Sequence, residues 1–258
     1  MNEVALITGA SSGIGTDLAH IHAENGKDLV IVARRAEKLN DLKEELESKH
    51  GVHVKVIAKD LIDPTAPKEL FDELNEEGIE VEYLINNAGF GGQGYFHEQD
   101  PELHKNMITL NITALTELTR LFLPAMVKKN SGRILQVAST AAYLPGPLQA
   151  VYFATKAYVK SFSMGIAGEL LETNVTSTAL CPGAVATEFA KEANLESTSM
   201  FQSARSSRSV AEFGYNAMMK GKLDVINEPW LGFQLKYMMP FMPTKVGLKM
   251  IKKMQETQ

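Results

Sequence analysis

The stretch VALITGASSGIG (residues 4–15) decides the fold, because a short apolar run passes directly into a glycine-rich turn and then into a helical pattern. Gly9, Gly13 and Gly15 follow the spacing GxxxGxG where the strand would meet the helix. Glycines at such a junction let the backbone turn sharply and approach a pyrophosphate, and the helix N-terminus offers free N–H groups. The stretch predicts a phosphate-binding strand–turn–helix, with a merely tight turn as the alternative.

Outward from this stretch, short β-branched runs alternate with longer amphipathic segments. The pattern predicts strands over 4–9, 28–33, 52–60, 81–89, 132–139 and 175–183. It predicts helices over 13–26, 36–51, 66–78, 101–129 and 150–171. Strands that are apolar throughout are typical of a parallel sheet covered on both faces. The alternation therefore predicts an α/β fold with a doubly wound parallel sheet and right-handed crossovers.

The composition narrows the class of protein. The 258 residues are 45% hydrophobic and 22% charged, and their net charge of −5 argues against nucleic acid as a partner. The single cysteine, Cys181, excludes a disulfide framework, and the six histidines show no metal-binding spacing, so no metal site is expected. A strand begins almost at the first residue, which leads us to expect a cytoplasmic protein without a signal peptide.

One pair of side chains indicates chemistry. In VYFATKAY (residues 151–158), Tyr152 and Lys156 are four residues apart and share a helical face. Tyr152 is the only one of the seven tyrosines with a lysine at this spacing. A nearby ammonium group favours the phenolate and should lower the tyrosine pKa. This makes Tyr152 a candidate general acid or base.

The ordered motifs resemble those of the short-chain dehydrogenase/reductase family. TGxxxGxG at 8–15 is followed by NNAG at 86–89, Ser139, YxxxK at 152–156 and PG at 182–183. The resemblance covers roughly residues 4–190. It implies a single Rossmann-type domain over 1–258, with a small helical substrate-covering lobe at 190–222 whose helix we expect from 209 to 222. It also implies an oxidoreductase that interconverts a carbonyl and an alcohol.

The resemblance assigns four catalytic positions. Tyr152 would be the general acid in reduction, and Lys156 would lower the tyrosine pKa and hold the nicotinamide ribose. Ser139 would hydrogen-bond the substrate carbonyl oxygen, and Asn111 would support a water chain to the lysine.

It also implies the residues that surround the cofactor. Asp60 would cap the adenine amino group, and NNAG would brace the sheet near the adenosine ribose. The full set is Gly9, Ser11, Ser12, Gly13, Ile14, Gly15, Arg34, Arg35, Asp60, Leu61, Asn87, Ala88, Gly89, Tyr152, Lys156, Pro182, Gly183, Val185 and Thr187.

The end of the second strand indicates which cofactor is used. Relatives that prefer NAD resemble one another in carrying an acid there, whereas this chain has Ala33 followed by Arg34 and Arg35. An arginine fork suits a 2′-phosphate. We therefore expect NADP(H), with Arg34 as the phosphate ligand and Arg35 stacking on adenine or adding charge. A solvated surface pair is the alternative.

The extension over 234–258 departs from relatives that reduce carrier-bound thioesters. It holds five of the 12 methionines, and five lysines against one glutamate. Three placements stay open: packing on this subunit's or a partner's core, a lid over the substrate pocket, or peripheral contact with a membrane.

Three functions follow from these patterns. The first is NADPH-dependent reduction of a hydrophobic aldehyde, ketone, steroid-like or acyl-like substrate. The second is a 3-oxoacyl thioester reductase, and the third is a non-catalytic NADP-binding interaction protein.

The resemblance also implies a homo-oligomer, a dimer or tetramer, formed through the helices at 101–129 and 152–171.

Overall fold

The computed structural model of the protein describes residues 1–193, 195, 198 and 204–256. Its strands are β1 (Val4–Thr8), β2 (Leu29–Ala33), β3 (Val54–Ala58), β4 (Val81–Asn86), β5 (Gly132–Val137), β6 (Val175–Leu180), β7 (Val185–Ala186), β8 (Arg205–Ser206) and β9 (Asp224–Val225). Seven of them form a parallel sheet in the order β3-β2-β1-β4-β5-β6-β9, and β7 pairs with β8. The strand order reverses direction at β1, which confirms the predicted doubly wound α/β class.

Helices cover both faces of the sheet. They are α1 (Gly13–Glu24), α2 (Ala36–His50), α3 (Ala66–Glu76), α4 (Pro101–Ile108), α5 (Leu115–Lys129), α6 (Ala150–Glu169), α7 (Glu188–Glu192), α8 (Ser207–Met219), α9 (Pro229–Phe233) and α10 (Thr244–Gln255). Strand β1 shows why both faces must be covered: Ala5 and Ile7 join the core beneath α1, α2 and α8, whereas Leu6 joins the core beneath α3 and α5. Because all five residues of β1 are buried, the apolar run VALIT has no solvent face.

The long helical pattern over 101–129 contains a π-helical turn, Thr109–Ala114, between α4 and α5. Asn111 lies in this turn and is buried. A π turn adds one residue to the helix and shifts the direction of the side chains that follow. The sequence periodicity did not reveal it, because the apolar spacing continues on both sides.

The expected lobe at 190–222 is only partly described, since residues 194, 196, 197 and 199–203 lie outside the described residues. For the rest, the prediction that its helix covers the substrate is wrong. Helix α8 packs against α1 and the sheet, where Val210, Ala211 and Met218 are fully buried in the core. The helix is amphipathic because one of its faces packs against the sheet. A helix that covers a substrate pocket shows the same pattern, so the sequence did not distinguish the two.

The chain after α8 returns to the sheet and then crosses the carboxyl ends of the strands. Strand β9 pairs with β6 ahead of the extension over 234–258, and the sequence pattern did not predict this strand. Helix α9, a π turn (Gln234–Met238) and a short 3-10 turn (Met239–Phe241) lead to α10. Ile251 of α10 packs in one cluster with Tyr152 and Phe153. No helix in the described ranges has the length and apolar character needed to cross a membrane.

Candidate active site

A cleft of about 800 Å³ opens at the carboxyl ends of the parallel strands, the edge where doubly wound sheets bind ligands. The residues that line it include nearly every position expected from the sequence. The two exceptions are Gly15, which lies under the glycine turn, and Asn111, which lies behind the cleft wall. The structure therefore brings the predicted cofactor and catalytic residues to one continuous surface.

The glycine turn forms a cradle that a larger residue would fill. Gly9 and Gly13 have φ angles of +69° and +56°, which favour glycine. A Cβ atom on Gly15 would lie 2.3 Å from the carbonyl oxygen of Gly9, and one on Gly13 would lie 2.7 Å from Cγ2 of Thr187. The turn thus leads into the N-terminus of α1 at the cleft, and the free N–H groups of a helix N-terminus suit a diphosphate.

Asn87 fixes the glycine turn to the neighbouring strand. Its Nδ2 donates to the carbonyl oxygen of Thr8 at 3.0 Å and to that of Gly9 at 3.3 Å. The backbone N–H groups of Asn87 and Ala88 both donate to Thr8 Oγ1 at 3.0 Å. The NNAG motif therefore braces the sheet beside the turn, as the sequence predicted.

The two arginines after β2 have different surroundings. Arg35 donates through Nε to Ser11 Oγ at 3.1 Å and through Nη1 to Glu188 Oε2 at 2.7 Å. Lys38 donates to the other oxygen of Glu188 at 2.8 Å. Arg34 is exposed at the cleft and has no ion pair with a described residue. Arg34 is thus the freer cation at the end of the second strand.

Glu188 is a charged residue of the site that sequence reasoning missed. Hydrogen bonds from Lys38 and Arg35 lower the pKa of its carboxyl group to about 2, so it is ionised at neutral pH. The only available signal was its position directly after Thr187. Nothing in the sequence indicates that α7 lies across from the start of α2.

Asp60 and Leu61 follow β3 at the same end of the cleft. The Oδ1 atom of Asp60 accepts the backbone N–H of Ile62 at 3.0 Å, and the carboxylate stays exposed. Leu61 is buried in the core between the sheet and α3. Of the two, only Asp60 therefore offers a charged group to a ligand.

Tyr152 lies near the start of α6 and is buried at the far end of the cleft. Burial raises the pKa of Tyr152 to about 12, while a hydrogen bond with Ser139 acts to lower it. The expectation that Lys156 would bring this pKa down is wrong for the structure described, because the loss of solvation on burial outweighs the contacts that would lower the pKa. The phenol is therefore protonated at neutral pH, as a general acid must be.

Lys156 is buried beside this tyrosine and donates to the carbonyl oxygen of Val137 at 2.8 Å. Burial lowers the pKa of its ammonium group to about 8.

Ser139 stands at the end of β5, where its Oγ accepts the backbone N–H of Ala141 at 3.1 Å. The serine hydroxyl itself donates to the carbonyl oxygen of Pro182 at 3.5 Å.

Asn111 is a neighbour of this group rather than a wall of the cleft. Its Nδ2 donates to the carbonyl oxygen of Phe90 at 3.0 Å and to Thr155 Oγ1 at 3.1 Å. Its Oδ1 accepts the backbone N–H of Phe90 at 3.1 Å. A Cβ atom on Gly89 would lie 2.9 Å from this oxygen and 3.4 Å from Lys156 Nζ. Asn111 therefore positions the NNAG strand end against α6.

The remaining part of the cleft, beyond Tyr152, is mostly apolar; we call it the chamber. It is lined by Leu144, Phe153, Phe189, Leu195, Leu231, Leu235, Met238, Met239, Met242, Met250, Ile251 and Met254, with Gln149, Glu192, Glu228, Gln234 and Gln255 as its polar members. All five methionines come from the extension over 234–258. Of its three open placements, the structure shows packing on this subunit's own core, where Leu235 and Ile251 are buried, and the same segment also lines this part of the cleft.

Glutamine contacts hold the end of α10 against the chamber. Gln149 Nε2 donates to the side-chain oxygen of Gln255, and Gln93 Nε2 donates to the backbone oxygen of Gln255. The other amide atoms of the first pair, Gln149 Oε1 and Gln255 Nε2, are buried without a partner among the described residues. Sequence reasoning missed Gln149, although it directly precedes α6 and lies only three residues before Tyr152.

Comparisons with known proteins agree with this geometry. The model of the short chain dehydrogenase family matches residues 3–198. The chain is 39% identical over 192 residues to the sulfoacetaldehyde reductase of Chromohalobacter salexigens, across 73% of this chain and 75% of that protein. It is 34% identical over 194 residues to the very-long-chain 3-oxoacyl-CoA reductase of Anas platyrhynchos, across 72% of this chain but only 61% of that protein.

Among solved structures, a short-chain dehydrogenase from Sphingobium yanoikuyae in complex with NADPH superposes with a TM-score of 0.82. The two are 31% identical, and the match covers 93% of this chain and 96% of the other. The chain therefore belongs to the short-chain dehydrogenase/reductase family, whose members are oxidoreductases that bind a nicotinamide cofactor.

Proposed function

We propose that this protein is an NADPH-dependent reductase that converts the carbonyl group of a bulky apolar substrate to an alcohol. One observation carries the proposal: Ser139, Tyr152 and Lys156 meet where a cofactor cradle joins an apolar chamber. The glycines that a Cβ atom would obstruct and the helix N-terminus behind them fit the diphosphate of a dinucleotide. When bound, the reduced nicotinamide supplies the hydride.

The protein's own groups would do the rest of the chemistry. Ser139 donates a hydrogen bond to the carbonyl oxygen, where negative charge develops as the carbonyl is reduced. Tyr152 then transfers its phenolic proton to that oxygen. The ammonium group of Lys156 stabilises the phenolate that remains and binds the ribose beside it. Burial keeps Tyr152 protonated at neutral pH, which suits the direction of reduction.

The arginines support NADP(H) over NAD(H). Ala33 leaves no acid at the end of β2, where a carboxylate would repel a 2′-phosphate. Arg34 is exposed at this end of the cleft, and Arg35 is fixed nearby by Ser11. A phosphate there would receive charge-assisted hydrogen bonds from a planar guanidinium group.

The chamber supports an apolar substrate over a small anion such as a sulfonate. The basic residues of the cleft are Arg34, Arg35 and Lys59 at the cofactor end, and Lys156, whose Nζ already donates to Val137. Among described residues, the chamber itself offers no cation to pair with an acid. Methionine side chains are adaptable apolar surface and suit a substrate of irregular shape.

A 3-oxoacyl thioester is the second candidate. The chamber walls continue along both α9 and α10, which suits an extended acyl chain, and one similar relative is a reductase of such thioesters. A non-catalytic NADP-binding role is disfavoured, because Asn111, Ser139, Tyr152 and Lys156 are all present and mutually placed.

A panel assay tests the proposal. NADPH oxidation should be followed with small aldehydes, sulfoacetaldehyde, bulky ketones, steroids and 3-oxoacyl thioesters of increasing chain length. We expect kcat/KM to rise with the apolar size of the substrate. Preference for the short or the anionic carbonyls would contradict the substrate assignment, and oxidation of no carbonyl on the panel would leave the interaction protein as the better account.

A further inference from the structure

The segment that covers the chamber also carries an exposed row of aromatic side chains. Trp230, Phe233 and Tyr237 follow at helical spacing along α9 and the π turn after it, with ring centres 5.7 and 5.5 Å apart. Trp230 is 67% exposed and Tyr237 is 63% exposed. Phe241, one turn further, is 88% exposed. Aromatic side chains of this size are usually mostly buried, so a row of them at the surface indicates a binding site for another apolar surface, of a protein or a membrane.

Helix α10 repeats this arrangement in three parallel rows. Gly247, Ile251 and Gln255 are buried and form the row that faces the protein. The next row holds Val246, Met250 and Met254, which are all exposed. The row beyond it holds Lys245, Lys249 and Lys253, which are also exposed. Because residues four apart share a helical face, the exposed apolar row lies between the buried row and the lysines.

We define the aromatic–lysine face as the exposed side chains of these two segments: Trp230, Phe233, Tyr237, Phe241, Lys245, Val246, Lys249, Met250, Lys253 and Met254. The three lysines of this face form no ion pair with a described residue. The ion pairs of the extension are formed by its other two lysines, Lys236 with Asp224 and Lys252 with Glu256. On a protein with a net charge of −5, this is a local excess of positive charge.

The face is also continuous with the mouth of the chamber. Met238, Met250 and Met254 line the cleft and are nevertheless between 40% and 51% exposed. In both segments the exposed apolar row is displaced by one residue, about 100° of helix rotation, from a row that faces the cleft. An apolar body seated on this face would therefore lie at the entrance of the chamber.

We infer that the aromatic–lysine face docks on the surface of an anionic lipid bilayer. Trp, Tyr, Phe and Met can enter the boundary between headgroups and acyl chains, while the lysines contact anionic headgroups. A second copy of this chain is the competing occupant. Contact through the same face on both copies would bring two rows of lysines toward each other, which is unfavourable, whereas an anionic surface complements them. This inference goes beyond the proposed reaction and does not depend on it.

Vesicle co-sedimentation of the full chain tests the inference without any substrate. Binding is measured with vesicles of phosphatidylglycerol mixed with phosphatidylcholine, and with phosphatidylcholine alone, at low and high salt. We expect binding to the anionic vesicles that weakens at high salt, because salt screens exposed charges. Replacing Trp230 and Phe241 with serine should reduce binding, and the retained affinity for NADPH will show that these variants are folded.

Two triple variants test whether vesicle binding depends on the lysines of this face or only on the total charge of the protein. Lys245→Gln, Lys249→Gln and Lys253→Gln should lower the partition coefficient roughly 100-fold, at about fivefold for each lysine. The matched control is Lys128→Gln, Lys220→Gln and Lys222→Gln, which removes the same charge. Lys128 lies in the last turn of α5, and Lys220 and Lys222 follow α8. All three lie toward the amino ends of the strands, away from the cleft. The control should bind almost as the unaltered protein does.

Three results would overturn the inference. The unaltered protein could fail to bind anionic vesicles at low salt, or both triple variants could lose binding equally. The third is a doubled mass in solution that the serine variants abolish while vesicle binding is absent, since a second copy would then occupy the face.

Discussion

The carboxylate of Glu188 lies 2.7 Å from Nη1 of Arg35, so an acid from one wall of the cofactor cleft is paired with a base from the other. Lys38 contacts the same carboxylate at 2.8 Å. Arg35 is thereby partly neutralised where a 2′-phosphate would bind, and Arg34 remains free. The preference for NADPH should depend on both features, in opposite directions.

Glu188→Gln should strengthen NADPH binding roughly two- to fivefold, since it frees two exposed cations whose pairing is worth little by itself. The affinity for NADH should hardly change. Dissociation constants from cofactor titration at neutral pH check this, because the pKa of Glu188, about 2, keeps the unaltered residue ionised there. Glu192→Gln in the same short helix is the matched control. Weaker NADPH binding in Glu188→Gln would mean that the ion pair organises the site.

Arg34→Gln should lower NADPH affinity roughly 10- to 150-fold, the value of one charge-assisted hydrogen bond, and leave NADH affinity nearly unchanged. The same titration measures it, with Arg120→Gln on α5 as a control that loses an exposed arginine elsewhere. Equal affinities of the unaltered protein for NADH and NADPH would contradict the assignment before any variant is made.

Lys156→Met should separate stability from activity. Burial lowers the pKa of Lys156 from 10.5 to about 8 in the folded chain. Between these values the unfolded chain binds more protons, so this group makes the free energy of unfolding rise with pH from about 8 to 10.5. Below pH 8 this lysine is charged in both the folded and the unfolded chain, so the full cost of burying the charge lowers the free energy of unfolding.

The methionine variant should therefore melt no lower than the unaltered protein at pH 7 and show a flatter rise between pH 8 and 10, while its turnover is lost. Thermal unfolding and steady-state kinetics over that range check this. Lys160→Met, also on α6, is the matched control for removing a lysine from this helix and should leave the turnover unchanged. A steep rise retained in Lys156→Met would place the titration elsewhere.

Gln255→Leu should raise KM for a bulky substrate roughly two- to tenfold, the value of one hydrogen bond, because it frees the end of α10 and leaves the amide of Gln149 unpaired. The double variant Gln149→Leu with Gln255→Leu removes both partners and should recover much of the loss. NADPH affinity should be constant throughout. An additive double variant would show that the two glutamines do not act as a pair.

The sequence predicted the parts of the molecule that depend on local rules. The glycine turn, the buried strands and the helix ends at Gly26 and Gly51 are each encoded within a few residues, and the two glycines have the left-handed φ angles of helix ends. The resemblance to the family placed Ser139, Tyr152 and Lys156 together, and the structure brings all three to one cleft, Ser139 from the end of β5 and the other two from α6.

The rest depended on contacts between distant segments. The same amphipathic pattern describes α8, which flanks the sheet, and α10, which covers the chamber. The pairing of Arg35 with Glu188, 153 residues apart, leaves no trace in either motif. Burial also reverses the pKa direction expected for Tyr152, and burial follows from the whole fold. The homo-oligomer and the cytoplasmic location stay predictions.

The most direct test of the central claim is the turnover of Tyr152→Phe on the best substrate from the panel, with NADPH affinity measured in parallel. The variant keeps the ring that packs against Phe189 and removes only the phenolic proton. We predict a loss of roughly 10²- to 10⁴-fold in kcat, the usual contribution of a general acid, with NADPH affinity nearly unchanged. Retention of most of the turnover would contradict the mechanism.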